Sequence, residues 1–146
     1  MPETTSHQLV VFSLGSEEYA LPIGSVHEII RFSEPRSVAS EVLWIRGVIG
    51  LRGKIIPIFD LAARLGLAPS DPGKIVIVSS EAGQVGVMVD EVEEVLTVTS
   101  EQLEDVPTAN SESIEAIAKI EDRLVVLLNT SGLFTREVAE ELAAAA

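Results

Sequence analysis

The sequence predicts a mostly β fold, built as small barrels or a sandwich rather than as a βαβ sheet. About nine or ten short apolar segments run along the chain, most joined by tight turns, and few helix signals interrupt them. The apolar fraction, 47% of 146 residues, is enough for a core. Aromatics are limited to Trp44, Tyr19 and four phenylalanines, so Val, Ile, Leu and Ala must fill that core.

The elements follow in order. QLVVFSL (8–14) and EYALPI (18–23) flank Gly15-Ser16-Glu17, a hairpin signal. SVHEIIRF (25–32) alternates, with Val26, Glu28 and Ile30 on one side and His27, Ile29 and Arg31 on the other. RGVIGL and KIIPIF flank an Arg52-Gly53 turn; Pro57 has no amide donor, which predicts an edge strand or a bulge there. DLAARLGL predicts a short helix with Asp60 as N-cap, Gly66 as its stop, and Leu61 and Leu65 toward the core. The stretch DLAARLGLAPSDPG is expected to separate two small barrels, although no clear sequence repeat marks them. KIVIVSS (74–80) and QVGVMVDEVEEVLTV (84–98) flank a turn at Glu81-Ala82-Gly83. TSEQ (99–102) fits a capping box. IEAIAKI (114–120) and RLVVLLN (123–129) meet at Glu121-Asp122, and Thr135 caps a final helix, REVAEELAAAA.

Charge and composition exclude several classes. Residues 1–77 carry 8 acids and 7 bases, and residues 78–146 carry 15 and 3. Such an acidic surface repels phosphate backbones and anionic lipid, so neither nucleic acid nor membrane is an expected partner. The absence of cysteine removes disulfides, thiolate metal sites and a thiol nucleophile. No signal-peptide pattern opens the chain, and its longest aliphatic run, LVVLL (124–128), is far below spanning length, so a cytoplasmic location is expected.

Catalysis finds little support. His7 lies in a tail and His27 in a strand, with no second histidine or metal-ligand spacing beside either. Asp60 ends an apolar strand but is followed by helix-cap chemistry, not by the carboxylates a phosphoryl acceptor needs. Asp90, Glu91, Glu93 and Glu94 lack a calcium-loop pattern. Gly47, Gly50 and Gly53 precede no helix start that would bind a phosphate. No metal, cofactor or enzymatic activity is therefore expected. Arg52 stands on a turn stiffened by Gly53, which suits either a forked contact with a partner carboxylate or an ordinary exposed arginine.

FSLGSEEYALPIGSVHEII, IRGVIGLRGKIIPIFDLAARLGL and VGVMVDEVEEVL together resemble the CheW family of bacterial chemotaxis coupling proteins, in order over about residues 8–142. The resemblance implies two intertwined five-stranded SH3-like barrels in one functional domain, 8–143, with a flexible N-terminus (1–7) and a frayed tail (144–146). It implies a non-enzymatic scaffold that bridges the tips of methyl-accepting chemoreceptors to the regulatory domain of the histidine kinase CheA, cytoplasmic but recruited to membrane receptor arrays. Carried over residue by residue, the receptor contact comprises Ile23, Val26, Glu28, Arg52 and Ile55. A kinase contact is expected over 33–46, with Val38, Val42, Leu43 and Trp44. Gly47, Gly53 and Gly86 match family glycines required for turns or close approach. Gly50 departs from the pattern, which has asparagine there, and 105–113 lacks the aromatic or basic residue of a second kinase contact. A start at Met1 and an Ala-rich end favour a whole coupling protein over a fragment of CheA or CheV. The competing readings are a ligand-binding barrel with a pocket at Trp44, and an adaptor for a twitching or gliding pathway.

Overall fold

The computed structural model describes residues 6–37, 44–68, 71–80, 83–105 and 113–133. Two curled sheets interleave along the chain. The first contains β1 (Ser6–Leu14), β2 (Glu17–Pro22), β8 (Glu91–Thr99), β9 (Leu103–Glu104), β10 (Ile114–Ile120) and β11 (Arg123–Leu128), in the spatial order β8-β1-β2-β11-β10-β9. The second contains β3 (Val26–Arg31), β4 (Ile45–Leu51), β5 (Lys54–Asp60), β6 (Lys74–Ser80) and β7 (Gly83–Val89), in the order β3-β6-β7-β5-β4. Each sheet closes on itself. Beyond β8, a 3-10 turn with the expected capping box at Thr99 and Gln102 leads into the two-residue β9, which pairs with β10. Beyond β3, the chain returns to β4, where Arg36 and Val48 exchange N–H···O bonds of 2.8 and 2.9 Å.

Closure makes two interiors and a seam. Leu9, Val11, Ala20, Val98, Ala118 and Leu127 fill the first barrel, and Ile49, Ile56, Ile58, Ile75, Ile77 and Met88 the second. A third cluster joins the barrels, with Phe12, Tyr19 and Leu21 packed among Phe59, Val76, Val78 and Val87. Each such fully buried side chain contributes about 1.5–3 kcal/mol of transfer free energy.

The barrels obey one register, which no sequence repeat announced. In the second, Ile77 pairs Gly86, which pairs Ile58; in the first, Val11 pairs Ala20, which pairs Leu127. Bulges recur at matching places, between Val26 and Glu28 as between Val92 and Glu94, and between Ile45 and Gly47 as between Ile114 and Ala116. Asp60 N–H bonds to Trp44 O at 2.7 Å, and Asn129 N–H to Ser113 O at 2.8 Å. A helical turn follows each: α1 (Leu61–Arg64), whose Ala63 N–H donates to Asp60 Oδ1, and α2 (Thr130–Leu133), which the sequence had not marked. Only chain order differs. The counterparts of β3-β4-β5 are β8-β10-β11, and these follow β1-β2 instead of preceding it, so the first barrel is a circular permutation of the second.

Several expectations change. The chain crosses between barrels at the 3-10 turn Ile23–Ser25 and at Asp90, not along residues 60–73, which connect β5 to β6 inside the second barrel. The stretch 84–98 is therefore two strands. Asp90 is the pivot: its N–H bonds to Ser13 O, and its Oδ2 accepts from Gly15 N–H at 2.7 Å. Pro57 lies in an inner strand. Val48 opposite it directs both backbone groups to Arg36, and β7 pairs β5 only from Ile58 onward, so the missing donor is not needed. Ser6 and His7, expected in a flexible tail, pair with Thr99 and Val98. The Thr135 helix lies outside the described residues.

The three singled-out glycines have different causes. Gly53 has φ 80 in a turn. Gly47 has φ 150, and a Cβ there would collide with the Arg36 carbonyl at the closure of the barrel. A Cβ on Gly86 would lie 2.5 Å from Ile58 Cδ1 and 2.8 Å from Ile75 Cγ2. Their first-barrel counterparts, Ala116 and Ala20, carry that methyl group.

Candidate functional site

The β4–β5 loop has only two residues, and strand twist then favours a primed turn, with positive φ at the first residue or at both. Arg52 has φ 51 and Gly53 φ 80. Arginine accepts that conformation at some cost. From the turn the guanidinium reaches the start of β3 and donates from NH1 to Glu28 Oε1. The turn arginine is thus already paired within the chain. Its side chain remains 70% exposed against 20% for Glu28, so donors stay open to a partner while the carboxylate is largely covered. The Arg52 hydrogen bond holds the Glu28 carboxyl below its ordinary value, and Glu28 raises that of Arg52. His27 Nε2 stands 3.9 Å from the same Glu28 oxygen.

Alternation sets the apolar surroundings. Ile56 points into the barrel and is buried, whereas Ile55 points outward and is 65% exposed, three positions from Arg52. Val26, on the strand that carries Glu28, packs against the seam cluster, as does its counterpart Val92. Ile23 is 41% exposed on the 3-10 turn that links the barrels. The structure therefore joins Glu28 to Arg52 directly, sets Ile55 on the same hairpin as Arg52, and sets Val26 on the same strand as Glu28. Ile29, exposed on the outer face of β3, was not singled out, although the alternation of SVHEIIRF groups it with His27 and Arg31.

Trp44, expected in a kinase contact, is held inward. It meets Phe59 edge-on at 4.9 Å, the Arg64 guanidinium lies 5.3 Å over its ring, and it packs on the seam. It lines neither barrel interior, which removes it as the wall of a ligand pocket. Val38, Val42 and Leu43 lie outside the described residues. Glu91 and Glu94 stay exposed and take part in ion pairs: Glu91 approaches Lys74 at 3.9 Å, and Glu94 lies 3.0 Å from Arg123 Nη2. Arg123 also forks onto Glu18 with bonds of 3.0 and 2.7 Å, a network spanning β2, β8 and β11 that the sequence did not reveal. Among the described residues no three His, Asp or Glu side chains form a metal cluster. No helix among them is long and apolar enough to cross a membrane.

A family model described as a CheW-like domain matches residues 8–138. The chain is 34% identical to a probable chemotaxis protein CheW of Rhizobium etli, over 91% of this chain and 90% of the relative. It is 32% identical to the chemotaxis protein CheW of Bacillus subtilis, over 93% and 92%. The crystal structure of the scaffolding protein TtCheW from Thermoanaerobacter tengcongensis superposes with a TM-score of 0.83 at 32% identity, covering 92% of this chain and 96% of that one.

Proposed function

The chain belongs to the CheW-like family, and from that premise we propose that it is a chemotaxis scaffold that seats chemoreceptor tips and holds the CheA-type kinase beside them. It transfers no chemical group; its mechanism is positional. The observation that carries this reading is the Arg52–Glu28 pair across the mouth of the second barrel, with Ile55 exposed beside it. A receptor helix needs apolar anchors for affinity and charges for register, and Ile23, Val26 and Ile55 with Arg52 and Glu28 supply both. The Arg52 N–H groups left open by Glu28 donate to a receptor carboxylate without breaking the pair. The kinase regulatory domain docks on the 33–46 segment, to which Val38, Val42 and Leu43 contribute apolar side chains, while Trp44 packs inward against Phe59. Receptor and kinase together place the protein at membrane-bound arrays.

Binding of purified receptor tip and of kinase regulatory domain tests this. Arg52→Ala should weaken the receptor and spare the kinase; equal loss of both would make Arg52 a structural residue. For the non-enzymatic claim, thermal melts with Mg²⁺, Ca²⁺, ATP or GTP should superimpose on the melt without them. A reproducible upward shift with any of these would contradict a pure scaffold.

A further inference from the structure

The equivalence of the barrels isolates one position where they differ in openness. Gly50 faces outward across from Ile55, and its counterpart is Lys119, across from Leu124. In the first barrel Lys119 Nζ is ion-paired at 2.9 Å with Glu104 on the closing strand. That pair bridges the outer face, where Leu124 is 61% exposed against 65% for Ile55. In the second barrel the closing residue is Arg36, bridged to Val48, and the position two residues further on that matches Lys119 is Gly50. Nothing in the backbone requires this: Gly50 has no left-handed φ, and a Cβ on it would meet no atom within 4 Å. Here the outer face is a groove with Ile30, Val48, Leu51 and Ile55 along it and Glu34 and Arg36 at its rim.

Charge singles out the same place. The chain carries 10 bases against 23 acids, so an unpaired cation is unexpected. Arg46, Arg52, Lys74, Lys119 and Arg123 all have an ion-pair partner, and Arg64 lies over Trp44. Arg31, Arg36 and Lys54 have none among the described residues. Arg36 lines the groove, Arg31 follows Ile30, and Lys54 precedes Ile55.

We propose that Gly50 opens an apolar groove on the second barrel which takes a bulky aliphatic or aromatic anchor flanked by carboxylates, presented by the receptor segment that docks at Arg52. This rests on the receptor reading above and adds the chemistry of the docked segment. The anchor fills the space beside Ile55, where the first barrel has Lys119 beside Leu124, and its flanking carboxylates meet Arg36 and Lys54.

Titration of the full-length protein with purified receptor tip, and separately with kinase regulatory domain, tests it. Gly50→Glu installs a carboxylate two residues beyond Val48, the bridge partner of Arg36, in a reversed copy of the Lys119–Glu104 pair. It should weaken receptor binding at least tenfold, leave kinase affinity within twofold, and leave the melting temperature within a degree or so. Gly50→Ala should stay within threefold of the parent, because one methyl does not cap the groove. Arg36→Ala with Lys54→Ala should weaken receptor binding and flatten its salt dependence. Receptor affinity within threefold of the parent for Gly50→Glu overturns the proposal, as does a fall in melting temperature with loss of both partners. Concentration-dependent dimerisation of the parent, abolished by Gly50→Glu, would make a second copy the occupant and also overturn it. Loss with Arg52→Ala but not with Gly50→Glu sinks the groove alone; loss with neither sinks the receptor seat as well.

Discussion

Residues 24–90, which hold the second barrel, carry 7 acids and 7 bases, whereas the residues on either side carry 16 acids and 3 bases. The first barrel and its flanks thus hold the whole net charge of −13, on a backbone that matches its neutral neighbour strand for strand and bulge for bulge. Backbone register is set by alternation, turn length and closure, all of which tolerate either surface. The surfaces then diverge at matching positions: Arg52 against Glu121 in the turns, Gly50 against Lys119, Arg36 against Glu104. The first barrel uses its cations internally, in the Arg123 fork and the Lys119 pair, while the second leaves three without an ion-pair partner among the described residues. One barrel pairs its described cations within itself, and the other leaves cations without an ion-pair partner among the described residues.

The strongest way to break this comparison lies in the core. Gly47→Ala drives a methyl into the Arg36 carbonyl, and Gly86→Ala drives one into Ile58 and Ile75. Each should cost on the order of 2–4 kcal/mol in urea unfolding, through backbone strain and overpacking respectively. The reverse changes, Ala116→Gly and Ala20→Gly, should cost roughly 1 kcal/mol apiece. Equal costs in both barrels would mean that the matched register does not extend to packing.

Second in size is a binding difference. Arg52→Ala should weaken receptor affinity about 10- to 100-fold through loss of a charge-assisted contact, with lysine restoring only part. Glu28→Ala should act the same way, whereas Glu121→Ala in the matching turn should leave receptor affinity unchanged. Calorimetric titration separates the two barrels here, and a matching loss from the first would erase their division of labour.

A smaller effect concerns two non-glycine residues that have left-handed backbone among the described residues, Arg52 at φ 51 and Glu121 at φ 56. Glu121→Gly should raise stability by about 0.5–1 kcal/mol by relieving that conformation, with no functional loss. Arg52→Gly should relieve the turn likewise while losing the receptor, and a melt paired with a titration distinguishes them.

The smallest effect is one of pH. Arg52 depresses the folded-state value of the Glu28 carboxyl, so the pair's contribution is present above the unfolded carboxylate value and is lost as pH falls through the lowered one. NMR titration of Glu28 should place its midpoint below that of an ordinary glutamate, and Arg52→Ala should return it. An unmoved midpoint would mean that the pair does not form in solution.

Most strands were legible because alternation and two-residue turns are local signals: the hairpins at Gly15, Arg52-Gly53 and Glu121-Asp122 appear as expected. The path between barrels was not. VGVMVDEVEEVL reads as one strand because β7 and β8 are both extended and only Asp90 separates them. The repeat stayed hidden since permutation displaces matching strands by different amounts, and because partners such as Gly86 and Ala20 differ where core volumes differ. Arg52 was conspicuous from its glycine neighbour, but its bond to Glu28, 24 positions away, is a product of closure. The Arg123 fork joins partners 105 positions apart, and nothing in the sequence near either end marks it.

That separation governs the order of assembly. The second barrel is one continuous stretch, whereas the first is completed only when β11 returns to lie beside β2 with the entire second barrel between them. Bringing such distant ends together carries a loop-closure entropy that a folded, compact insert reduces. The continuous barrel should therefore fold first, with the β1-β2 hairpin docking only once β8 to β11 are made. Pulse-labelled hydrogen exchange should protect Val76 and Val87 before Val125 and Leu127. The acidic flanks have a kinetic consequence in that interval: they keep the waiting hairpin and the late strands from pairing with those of another nascent chain.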